Sequence, residues 1–146
     1  MKKVLFALVA VIICLSCGQA RDYITNDINA LPKIAQQFLS ENFSSKVSHI
    51  KVDKELGYTK DYEVVLTDGT EIDFNRDGSW DKVEMPRGVK LPSSITPKGI
   101  SDYVGKNFPG QIIESIDKER RSYEVELSNG LELIFDLSGN FLRYDD

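Results

Sequence analysis

Cysteine is almost missing from this 146-residue chain: Cys14 and Cys17 are the only two, and both lie within the first twenty residues. If that segment is removed, disulfides, thiol catalysis and cysteine metal sites are excluded together. Histidine is scarcer still. His49 is the one imidazole, set in a polar stretch where nothing marks a base or nucleophile to work with it. The serines fall in turn-like or helix-start segments, outside any nucleophile-elbow setting, and no glycine-rich loop is built to cradle phosphate. Five prolines, with 41% hydrophobic and 28% charged residues, exclude a proline-rich or disordered chain. Positive charge is in deficit: the formal net charge of −5 becomes −7 once Lys2 and Lys3 leave with the leader. That balance disfavours nucleic acid and anionic membrane surfaces as partners. No cofactor is implied.

Beyond residue 15 no apolar run approaches membrane length. Before it, Lys2 and Lys3 precede twelve apolar residues, Val4 to Leu15, followed by Ser16, Cys17, Gly18, Gln19 and Ala20. Twelve residues fall short of the roughly 20 that a spanning helix needs, so residues 1–20 are expected to be a secretory signal peptide. Gly18 and Ala20 supply small residues at −3 and −1, which places the cut before Arg21. The remaining residues, 21–146, suffice for one domain with its own core. Lipid attachment at Cys17 is the alternative. Ser16 suits it, but Cys14 occupies the place where a branched apolar residue is wanted. A soluble periplasmic or secreted protein is therefore favoured over a lipid-anchored one.

Two halves of the chain echo each other. Tyr62, Glu63, Val64, Leu66, Gly69, Glu71, Phe74 and Gly78 recur as Tyr123, Glu124, Val125, Leu127, Gly130, Glu132, Phe135 and Gly139, eight identities at a constant offset of 61. Asn42-Phe43 returns as Asn107-Phe108 and Leu31-Pro32 as Leu91-Pro92. Each copy, 31–86 and 91–146, opens with helical spacing. Ile34, Phe38 and Leu39 form the stripe of the first, while Ile100, Tyr103 and Val104 form that of the second, with Thr96 as its expected cap. After each helix the period switches to two, as in Tyr62, Val64 and Leu66.

The turn length follows from the pattern. A two-residue Asp68-Gly69 turn would put Glu71 and Asp73 on the face of Tyr62, whereas a three-residue loop pairs Leu66 with Thr70, Val64 with Ile72 and Tyr62 with Phe74. Ser128-Asn129-Gly130 makes the same demand on Leu127, Val125 and Tyr123. Further glycine turns at Gly78 and Gly139 return the chain through Trp80 and Phe141. The expected fold is α+β: a tandem repeat of helix plus four antiparallel strands, with both helices on one face of the sheet and an acidic face left to solvent.

The run Leu91-Pro92, apolar helix, Asn107-Phe108-Pro109, Tyr123-Glu124-Val125-x-Leu127, Asn129-Gly130-x-Glu132 and Phe135-Asp136-x-x-Gly139, echoed over 31–78, resembles the PepSY-like family of small exported bacterial proteins. That family is similar in fold to the beta-lactamase inhibitory protein, whose open sheet face grips a target enzyme. The resemblance implies the fold and export and, at family level, an inhibitor-like role. No inhibitory loop carries over residue by residue.

Two surfaces are candidate sites. On the solvent face Glu63 should oppose Asp73 and Glu126 should oppose Glu132, like-charge pairs that cost stability. With Glu71 and Glu124 they form an acidic stripe suited to a basic peptide, a protein patch or a cation, unless Lys51, Lys118 or Arg120 simply neutralise it. An unidentified protein or peptide of the cell envelope is the expected partner. Separately, Asp73, Asn75, Asp77, Gly78, Asp81 and Glu84 fit the calcium-loop pattern D-x-[DN]-x-[DN]-G-x5-E. That loop normally joins two helices, whereas here it would straddle a strand turn, so calcium is the secondary expectation.

Overall fold

Apolar residues at alternate positions commit most of the backbone to strands. In the computed structural model, which describes residues 21–55 and 58–145, nine antiparallel strands run through one sheet in chain order. They are β1 (Tyr23–Thr25), β2 (Val47–Glu55), β3 (Tyr58–Leu66), β4 (Glu71–Asn75), β5 (Trp80–Glu84), β6 (Ile113–Lys118), β7 (Ser122–Leu127), β8 (Glu132–Asp136) and β9 (Phe141–Tyr144). Helix α1 (Lys33–Asn42) precedes β2, and α2 (Lys98–Asn107) links β5 to β6. The expected signal peptide, its cleavage site and Cys17 lie outside the described residues. Strand β1, pairing Tyr23 with Val52 and Thr25 with Ile50, was not legible in the sequence, because three residues are too few to carry a period. A single 3-10 turn, Ile28–Ala30, follows it, with the Asp27 carboxylate accepting from Asn29 N at 2.9 Å.

The three-residue turn is present in both hairpins. Leu66 N donates to Thr70 O at 2.8 Å and Gly69 N to Leu66 O at 3.0 Å, with Gly69 at φ +91°. Leu127, Leu131 and Gly130 repeat that geometry, with Gly130 at φ +80°. The register follows, with Tyr62 opposite Phe74 and Val64 opposite Ile72, then Tyr123 opposite Phe135 and Val125 opposite Leu133. Where a side chain must reach back to stabilise the loop, an Asx oxygen does it: Asp68 Oδ1 accepts from Thr70 N, and Asn129 Oδ1 from Leu131 N.

The helices lie on one face of the sheet. Leu31, Ala35 and Leu39 from the first helical segment and Ile100 and Val104 from α2 share one buried cluster with Ile50, Val64, Ile72, Phe74, Val125 and Phe135. Aromatic side chains seal each helix: Phe38 sits edge-on to Phe74 and stacked on Trp80, and Tyr103 sits edge-on to Phe135 and stacked on Phe141. Trp80 is thereby committed to packing rather than to a surface.

Two helix expectations need correction. Ile34 is 61% exposed while Ala35 is fully buried, so the stripe of α1 is Ala35, Phe38 and Leu39. The first turn of α1 packs against the β4–β5 turn so closely that a Cβ at Gly78 would lie 2.8 Å from Pro32 Cβ and 3.2 Å from Ala35 N. Thr96 does not cap α2. Pro97 occupies the cap position without a side-chain cap bond, and the Thr96 hydroxyl instead reaches back toward Pro92 O at 3.4 Å.

Candidate functional site: the open face of the sheet

Strand alternation sends every second side chain away from the helices. One row crosses the open face from Ile24 through Lys51, Glu63, Asp73, Lys82, Asp117, Glu124 and Ile134 to Arg143, each cross-strand neighbour paired in register. A second row carries Glu71, Glu84, Ser115, Glu126 and Glu132. All six residues proposed from sequence for an acidic stripe therefore share this face. The opposed pairs Glu63/Asp73 and Glu126/Glu132 stand as the turn length demanded.

Neutralisation is partial and uneven. Lys51 Nζ lies 3.0 Å from Asp53 and 3.2 Å from Glu63, which raises the lysine pKa through hydrogen bonds to Asp53 and Glu63. Lys82, which sequence reasoning missed, sits between Asp73 and Asp117 and bonds Glu84 at 2.9 Å. Its place depends on β5 pairing with β6, a contact between the two halves that a pattern within either half does not show. Of the other cations expected, Lys118 lies 5.5 Å over the Trp80 ring, on the helix side. In the second half Asp117, rather than a cation, opposes Glu124.

The electrostatic consequence is read in the carboxyls. Burial, then Glu63, push Asp73 up to about 6. Burial, then Asp81 and Glu119, raise Asp117, and burial, then Glu132 and Asp145, raise Glu124. Burial and its neighbour Asp53 also raise Asp61. Asp53, Asp61, Glu63, Asp73, Asn75 and Asp81 line a recess of about 170 Å³ in the β2–β5 half of the face. Because the folded pKa of Asp73 lies above the unfolded value, its ionisation destabilises the native state. That cost is complete well above about pH 6, falls as pH drops toward about 4, and disappears below about pH 3, where both states are protonated. Asp73→Asn should therefore raise stability at pH 7.5 by about 1 kcal/mol, a figure reduced for the half-exposed setting. The advantage over wild type should shrink as pH falls from about 6 to about 4 and vanish at about pH 3, as urea titrations across that range will show.

The calcium-loop residues come together only in part: Asp73, Asn75 and Asp81 share the recess, with Asn75 Nδ2 3.4 Å from Asp81 Oδ1, while Glu84 is turned to Lys82. Asp73 and Asn75 lie on β4, Asp81 and Glu84 on β5. Asp77 is occupied in the turn, accepting from Ser79 N at 2.9 Å and Ser79 Oγ at 2.6 Å. Among the described residues, the three carboxylates that together approach one another within 4.8 Å are Glu124, Glu132 and Asp145, and Asp145 is already paired with Arg143 at 2.7 Å. Asp145 stands 61 residues after Glu84, at the matching place in the second half, but its approach to Glu124 and Glu132 was not legible because it lies past the last strand. Ile134 was also missed. It points to the open face yet is only 6% exposed, set in register between Glu124 and Arg143. His49 is exposed on β2, with Ser48 Oγ at 3.4 Å.

Three solved structures share this architecture. A "putative periplasmic protein of unknown function" from Bacteroides vulgatus ATCC 8482 is 38% identical, with a TM-score of 0.79 over 86% of this chain and 99% of its own. A "putative calcium-regulated periplasmic protein" from Bacteroides thetaiotaomicron is 35% identical, with a TM-score of 0.77 over 86% and 97%. A second "putative periplasmic protein" from B. vulgatus is 31% identical, with a TM-score of 0.76 over 88% and 100%. No curated protein matches the chain. Among the described residues no helix is long and apolar enough to cross a membrane. Residues 60–143 match the family described as "Putative beta-lactamase-inhibitor-like, PepSY-like", and with the turns, register and core residues above this chain belongs to the PepSY-like family.

Proposed function

We propose that the protein is an exported, non-enzymatic binding module, built of two tandem helix-plus-four-strand units in one domain, that meets a protein or peptide of the cell envelope through its open sheet face. An inhibitor-like action on an envelope hydrolase is the form this reading takes within the family. The observation that carries it is the asymmetry of the sheet: one face is buried under both helices, and the other is uncovered and lined by carboxylates that outnumber their lysines. Like charges set directly opposite one another cost stability, so a protein that keeps them on one face has a use for them there. The leader-like first twenty residues and the periplasmic relatives support export. The equivalent aromatic clusters and turns support duplication. The test is capture from envelope extract with wild type and with Glu63, Glu71, Glu126 and Glu132 changed to Lys. The wild type should hold a salt-sensitive partner that the variant loses; an identical partner set for both defeats the reading.

The second reading is a cation-binding envelope protein. It was first suggested by Asp73, Asn75, Asp77, Asp81 and Glu84, and is favoured now by the convergence of Glu124, Glu132 and Asp145 and by the name of the B. thetaiotaomicron relative. Titration calorimetry with calcium decides it: absence of heat, with an unchanged melting temperature at millimolar calcium, disposes of this alternative.

A further inference from the structure

The central row of the open face alternates in a way that specifies more than acidity. Glu63 and Asp73 are directly opposed on β3 and β4, and Asp117 and Glu124 on β6 and β7. Between the two pairs stands Lys82 on β5, bound to Glu84 in the adjacent row. Lys51 reaches Glu63 from β2 but shares itself with Asp53. Each pair thus lacks a full complement of cations: burial and neighbouring acids push Asp73 up to about 6 in the first pair and raise both Asp117 and Glu124 in the second. Neighbouring strands are about 4.8 Å apart, so the centres of the two pairs, three strand spacings from each other, are separated by about 14 Å across the sheet. An extended polypeptide advances about 3.3 Å per residue, and its residues i and i+4, which face the same way, are about 13 Å apart.

We propose that the open face docks an extended basic segment of a partner protein, in which two arginine or lysine side chains four residues apart each bridge one of the carboxylate pairs Glu63/Asp73 and Asp117/Glu124. This deepens the sheet-face reading and rests on it. The residue midway between the two cations faces Lys82, so it is small, polar or acidic and never basic. Arginine fits the pairs best, since its planar guanidinium presents five donors and can bond two carboxylates at once. A metal ion fits them less well. A calcium ion binds oxygens at 2.3–2.6 Å, so its ligands must crowd together, and among the described residues the group of three acids that does so is Glu124, Glu132 and Asp145, which takes one acid from the second pair and none from the first.

The experiment is an NMR titration of the labelled protein with two peptides of equal composition and charge: acetyl-Gly-Arg-Gly-Ser-Gly-Arg-Gly-amide and acetyl-Gly-Gly-Arg-Arg-Ser-Gly-Gly-amide. The spaced peptide should bind at least fivefold more tightly, with shifts concentrated on β3, β4, β6 and β7. The double variant Asp73→Asn/Asp117→Asn should weaken it at least tenfold, while Glu41→Gln/Asp102→Asn, an equal loss of charge on the two helices, changes it less than twofold. Both acids of the first variant are destabilised as anions, so its melting temperature should be at or above that of wild type, which separates lost binding from lost fold. Equal affinity for the two peptides overturns the spacing and leaves a diffuse acidic face, with the sheet-face reading intact; equal weakening by the two variants overturns the proposal as mere attraction by net charge. Absence of binding by either peptide overturns the proposal, as does displacement of the spaced peptide by 1 mM calcium chloride, which would give the pairs to a metal. An envelope partner lost from the four-lysine variant but held by Asp73→Asn/Asp117→Asn would sink this proposal alone.

Discussion

Phe135→Ala should lower the free energy of unfolding by about 3–5 kcal/mol, and Phe74→Ala by the same amount to within about 1 kcal/mol. Both rings are fully buried, and each is held edge-on by the aromatic residue of its own helix, Phe135 by Tyr103 at 5.4 Å and Phe74 by Phe38 at 5.7 Å between centroids. Deleting either ring removes apolar burial and leaves a cavity that sheet and helix cannot both close. By contrast Glu124→Ala, on the opposite face of the same sheet, should stay within about 0.5 kcal/mol. Urea unfolding of the three variants checks the set. A Phe74 variant that kept wild-type stability while the Phe135 variant did not would remove the equivalence on which the duplication rests.

The second large effect is expected at the turns beneath the helix starts. Gly78 has φ +88°, and a Cβ there would stand 2.8 Å from Pro32 Cβ and 3.2 Å from Ala35 N. Gly139 has φ +84°, and its Cβ would meet Gly99 Cα at 3.2 Å. Either Gly→Ala change combines left-handed backbone strain of about 1–2 kcal/mol with overlap against a helix backbone that cannot yield, for a total of about 2–4 kcal/mol. Gly130 isolates the first component. It has φ +80° with nothing within 4 Å of its added Cβ, so Gly130→Ala should cost only about 1–2 kcal/mol. Thermal melts of the three alanine variants should rank Gly130 as mildest. If Gly130→Ala proved as damaging as Gly78→Ala, the close docking of helix on turn would not be what Gly78 provides.

These two sets of residues also show why so much of the fold was legible. The hairpin register is dictated locally: only a three-residue loop keeps Tyr62, Val64, Leu66 and Phe74 on one face, and the β7–β8 hairpin meets the same constraint independently. Docking across the chain is not local. The sequence suggested Ile34 for the core because it is apolar and correctly spaced, but the approach of Pro32 and Ala35 to Gly78 turns the helix so that Ala35 is buried in its place. The same limit governs the open face. Glu63 opposite Asp73 and Glu126 opposite Glu132 follow from turn length alone, whereas Lys82 beside Asp117 requires knowing that β5 pairs with β6. Alternation already puts Ile134 on the open face, between Leu133 and Phe135 that face the helices; what the pattern does not show is that it is nearly buried there, at 6% exposed.

The claim at the centre of this account is that the open face, and not the helix face, meets the partner. Carbodiimide labelling of surface carboxyls, read by mass spectrometry with and without the captured envelope partner, tests it directly. Glu63, Glu71 and Glu126 on the sheet should become protected on binding, while Glu41 on α1 and Asp102 on α2 keep their free-state labelling. Protection of Glu41 and Asp102 with the sheet carboxyls unchanged would place the partner on the helices and contradict the account.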